Sequence, residues 1–114
     1  MEIYCKDNNM LNNAIYLAQQ LGIETERGVE LTIKRLPPQF VQKGLIEYPR
    51  ITSKQKMHLD IFVKYDKERY ITLAHEMVHV RQVINNESID ENEAETLAHR
   101  LNKTLDNDLL KVVY

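Results

Sequence analysis

His75, Glu76 and His79 stand in the run His-Glu-Met-Val-His, a spacing with a definite chemical use. Histidines at i and i+4 lie one helical turn apart, so both imidazoles can reach one zinc ion at roughly 2.0–2.1 Å. Glu76 follows the first histidine directly, about 100° further round the helix, so it points beside the metal rather than at it. A general base stands there to take a proton from a water whose pKa the metal has lowered to roughly 7, and to pass it to a leaving amine. The surrounding helix carries Tyr70, Ile71, Leu73, Ala74, Met77, Val78, Val80 and Ile84, which marks it as buried. Thr72, His75, Glu76 and His79 share a stripe about a third of the circumference wide. Two imidazoles and a carboxylate there are costly unless something satisfies them. A divalent metal does so, whereas separate bonds from each histidine to backbone carbonyls are the structural alternative.

Two histidines leave a tetrahedral zinc short of a protein ligand. The last helix offers one. Its apolar stripe is Ala94, Leu97, Ala98, Leu101 and Leu105, and Glu93 flanks it, far enough beyond His79 for a turn and a second helix to return. Glu93 is the expected third ligand. The competing reading is a capping box, in which Glu93 bonds the backbone N–H of Asp90. Glu91, then His99, then Glu95 are the substitutes.

The elements that must position these groups follow from periodicity. Leu11, Ala14, Leu17, Ala18 and Leu21 recur at helical steps between a capping Asp7 or Asn8 and Gly22, which predicts a helix over 8–21. Val29, Leu31 and Ile33 alternate with polar residues as a strand that Pro37-Pro38 ends. Residues 41–48 can hold an irregular strand interrupted by Gly44, and 49–56 reads as a loop. Met57, Leu59, Ile61, Val63 and Tyr65 alternate as the clearest strand, with His58 on its polar, solvent-facing side. Helices follow over 67–85 and 90–106. The expectation is one α+β domain over residues 1–114, with a backing helix and a small twisted sheet of about three strands.

Composition narrows the classes. A formal charge of −2 lacks the basic excess that a general nucleic-acid or membrane-surface binder needs. A single cysteine, Cys5, rules out an intramolecular disulfide, and the N-terminus has no charged-then-apolar leader pattern. No nucleic acid, no membrane and a cytoplasmic setting are therefore expected, with oligomeric state left open.

LAHEMVHVRQ followed by ENEAETLAHRL resembles the gluzincins, zinc peptidases whose HExxH helix is followed by a glutamate-bearing helix. In size and element order the chain is similar to the minigluzincins and the related SprT-like and phage-repressor-associated peptidases. The resemblance implies one zinc per chain, held by His75, His79 and Glu93, with Glu76 as the catalytic base. It implies that the strand over 57–65 is the upper rim of the cleft, to which a peptide or protein substrate adds as an extended strand. It implies latency as well, for which LLKVVY over 109–114, lying in the cleft, or a metal-blocking Cys5 are candidate devices. The chain departs from the family pattern at Leu97, where an acidic residue often orients a zinc ligand, so no partner of the ligands is assigned. Tyr65, Tyr70, His99 and Arg100 are equal candidates for stabilising the reacting carbonyl oxygen. The expected function is zinc-dependent peptide-bond hydrolysis. The alternatives are a catalytically silent zinc-binding regulatory module of the same fold, and a purely structural α+β interaction domain.

Overall fold

A computed structural model describes the backbone of residues 1–47 and 49–113 and side chains as far as residue 103. Eight elements follow one another: β1 (Glu2–Cys5), α1 (Asn8–Gln20), β2 (Val29–Arg35), β3 (Gly44–Ile46), β4 (Arg50–Ile51), β5 (Met57–Val63), α2 (Arg69–Ile84) and α3 (Glu91–Val113). The class is α+β, as the periodicities predict, and the sheet has five strands rather than about three. Two strands escape sequence reading. β1 is four residues long with alternate residues exposed, and β4 is a two-residue bridge inside the expected loop.

The strand order is β1-β2-β5-β3, with β4 also on β5. β1, β2 and β5 are parallel, so each successive pair needs a crossover. α1 supplies the first, started by Asp7, whose carboxylate accepts from the N–H groups of Asn9 and Met10 at 2.9 and 3.1 Å. It ends at Gly22, whose φ of +72° is the left-handed turn that glycine adopts without strain. β3 runs antiparallel to β5, with Gly44 opposite Val63 and Ile46 opposite Ile61.

One core results. Leu31 and Ile33 of β2 and Leu59, Ile61 and Val63 of β5 are buried against Met10, Ala14, Leu17 and Ala18 of α1 and Leu73, Ala74, Met77 and Val80 of α2. Ala98 and Leu101 of α3 close it. Among the described residues no helix is long and apolar enough to cross a membrane. The expected exposure of His58 does not hold in this packing: its side chain is 11% exposed, with Nε2 3.1 Å from Asp60 and Nδ1 3.6 Å from Glu30. The apolar tail over 109–114 lies outside the residues whose side chains are described.

The sheet order leaves the strand expected at a cleft rim without a free edge. β5 has β2 along one edge and β3 and β4 along the other, so it is an interior strand with no edge to offer a substrate. The terminal strand beside α2 is β3. It lies against α2 so closely that a Cβ on Gly44 would stand 2.7 Å from Thr72 Cγ2 and 3.2 Å from Glu76 Cγ. Gly44→Ala must therefore turn the Thr72 side chain or push β3 off the helix, and overpacking of this kind costs about 1–3 kcal/mol. A urea midpoint equal to that of the wild type would show the contact to be softer than the geometry requires.

Candidate metal centre

α2 is a well-buried helix: Leu73, Ala74, Met77, Val78 and Val80 are buried, and so are three polar residues, Glu76, His79 and Gln82. The i, i+4 spacing brings the two imidazoles together as expected, with His75 Nε2 and His79 Nε2 3.2 Å apart. The turn after α2 is tight, with Asn86 at a φ of +56° and Glu87 N–H bonding the Gln82 carbonyl at 2.8 Å. α3 then returns across the histidines.

Its first residue, Glu91, faces them. One carboxylate oxygen is 3.0 Å from His75 Nε2 and the other 3.1 Å from His79 Nε2. The three donor atoms lie within 4.8 Å of one another. Ligands at about 2.0–2.1 Å from a tetrahedral centre are separated by about 3.3 Å, so the spacing suits a small cation with little movement. Two imidazole nitrogens and a carboxylate form a donor set for zinc or for another imidazole-binding transition metal.

Glu93, the expected third ligand, is not brought to the pair. Asp90 caps α3, its carboxylate accepting from Glu93 N–H at 2.9 Å. Glu93 then follows Glu91 by two residues, about 200° round the helix, and faces away. Its carboxylate is taken by the Arg81 guanidinium and by Gln82 Nε2, the latter at 2.9 Å. The capping box is thus only half formed, because Asp90 N–H donates to Gln82 Oε1 at 3.3 Å rather than to Glu93.

Two residues that sequence reading left without this role hold the histidines in place. His79 Nδ1 is 2.8 Å from Gln82 Oε1, an acceptor suited to an Nδ1 proton, and this turns Nε2 toward Glu91 and His75. Gln82 is fully buried, and its amide also donates to the Asp90 carbonyl at 3.2 Å. His75 Nδ1 is 3.3 Å from Glu95, one turn beyond Glu91. The i+3 spacing from His79 to Gln82 was a legible signal for the first. The second depends on the angle of α3. Orienting partners of this kind typically change metal affinity 10- to 100-fold, and Gln82→Met should weaken metal binding within that range. Competition against a chromophoric chelator measures it, and an unchanged affinity would remove Gln82 from the site.

Glu76 is 6% exposed and lies between α2 and β3. Burial raises its pKa above the ordinary glutamate value, against the opposing pull of His75 and His79. It opens with His75 on a cavity of about 440 Å³ between Gly44, Ile71, Thr72, Glu95 and Ala98. A larger cavity of about 890 Å³ lies at the ends of the parallel strands and shares no residue with this one. Of the four candidates for stabilising a reacting carbonyl oxygen, only His99 lines the cavity of His75 and Glu76. Tyr65 and Cys5 line the larger cavity, Arg100 lies beside Glu93, and Tyr70 has Arg69 over its ring. Cys5 is therefore not placed to block the metal. No family model, curated protein or solved structure matches the chain.

Proposed function

We propose that the chain is a zinc-dependent peptidase that cleaves an extended segment of a peptide or protein. The observation that carries this reading is the convergence of His75 Nε2, His79 Nε2 and the Glu91 carboxylate beside a buried Glu76. Bound zinc supplies Lewis acidity and a water of lowered pKa. Glu76 accepts the proton of the attacking water and returns it to the leaving amine. A carboxylate whose proton affinity burial has raised is suited to both halves of that transfer. β3, the terminal strand against Glu76, presents its outer edge to the substrate backbone.

The test is metal content by mass spectrometry after zinc reloading and desalting, together with cleavage of an unstructured protein. The reading expects one zinc per chain and hydrolysis that a chelator stops. Zinc without hydrolysis would favour a silent zinc-binding module. Absence of zinc would return the site to a structural role.

A further inference from the structure

We infer that the cavity beside Glu76 is a specificity pocket for an arginine or lysine side chain next to the scissile bond; this rests on the peptidase reading above. At about 440 Å³ the cavity holds a long side chain. Ile71 and Ala98 give it an apolar floor, and Ala98, at 1% exposed, contributes space rather than bulk. Three carboxylates line it, Glu68, Glu76 and Glu95, against one ammonium, that of Lys43, with His75 and His99 at 3.3 and 3.0 Å from Glu95. Lys43 is moreover committed to Asp66, outside the lining, at 2.5 Å, and stands 3.5 Å from Glu68.

An entering side chain must lay a stem over Ile71 and Ala98 and end among carboxylates. Leucine fills the floor but displaces part of the water around Glu68 and Glu95, whose side chains are 54% and 64% exposed, without replacing it. Glutamate meets like charge. A guanidinium replaces the lost water with charge-assisted hydrogen bonds.

The probes are four dipeptide hydroxamates differing only in the side chain beside the metal-binding group: glycine, leucine, glutamate or arginine. Their affinities for the zinc-loaded protein are measured by calorimetry, with the glycine compound as reference in each variant. The arginine compound should bind about tenfold tighter than the leucine one and about a hundredfold tighter than the glutamate one. Glu68→Lys, a change at an exposed position, should bring the arginine-to-leucine ratio close to one with zinc content unchanged. Equal or better binding by leucine or glutamate in the wild type, or an arginine preference that Glu68→Lys leaves intact, would overturn the inference and spare the peptidase reading. Failure of all four, glycine included, would overturn both.

Discussion

Glu76→Gln is expected to abolish cleavage while leaving zinc content unchanged. Removal of a general base typically costs 10²- to 10⁴-fold, and the upper part of that range applies here because, among the described residues of the cavity, Glu76 is the buried carboxylate while Glu68 stands by Lys43. Glu91 is directed at the two histidine nitrogens, and Glu95 lies between His75 and His99. Glutamine preserves volume and polarity in a position only 6% exposed, so packing against β3 is retained. The measurement is a single-turnover rate on a fluorogenic peptide alongside zinc stoichiometry. A variant that cleaves as fast as the wild type would falsify the assigned role of Glu76.

The second large effect separates Glu91 from Glu93. Glu91→Ala should lose zinc and the thermal stabilisation that zinc confers, because a ligand that binds only the native state raises stability by mass action. The zinc-free protein should be little affected, since the Glu91 side chain is 71% exposed. Glu93→Ala should show the reverse. It keeps the metal but removes one acceptor from Arg81, which retains Glu87, and from Gln82, which retains the Asp90 carbonyl, for a loss of about 1 kcal/mol, discounted because the Glu93 side chain is 40% exposed. Melting curves with and without zinc distinguish the pair. Zinc lost from Glu93→Ala and kept by Glu91→Ala would restore the ligand expected from sequence.

That contrast also shows where the sequence stops being legible. The relation of His75 to His79 is local, because one helical turn decides it, and the apolar positions around them already mark the helix as buried. α1, β2 and β5 were readable for the same reason, each having a period that its own residues declare. Which glutamate faces the two histidines was not. Glu91, Glu93 and Glu95 have the same chemistry within one turn and a half. The choice among them is made by where Asp90 starts the helix and how Gln82 ties that start to α2. β1 was hidden because four residues with alternate exposure become a strand only through pairing with β2, on the far side of the α1 crossover. The strand expected to offer its edge has none, for a topological reason. The strongest alternating pattern belongs to the strand that the sheet encloses most fully, so the best-predicted strand was also the one with no free edge.

The length of β3 carries a consequence for selectivity. With the flanking bonds of Lys43 and Glu47, the antiparallel pairing extends over only a few residues. Because the outward backbone groups of a strand alternate, such a rim offers roughly two or three of them to an incoming chain. At about 0.5–1.5 kcal/mol each, they give millimolar capture at best, after the incoming segment has lost its freedom. A long rim would hold any unfolded polypeptide by its main chain. Under the proposed function, this one would hold a polypeptide only when side chains or a docked partner add the missing affinity, so brevity of the edge would protect the proteins around it.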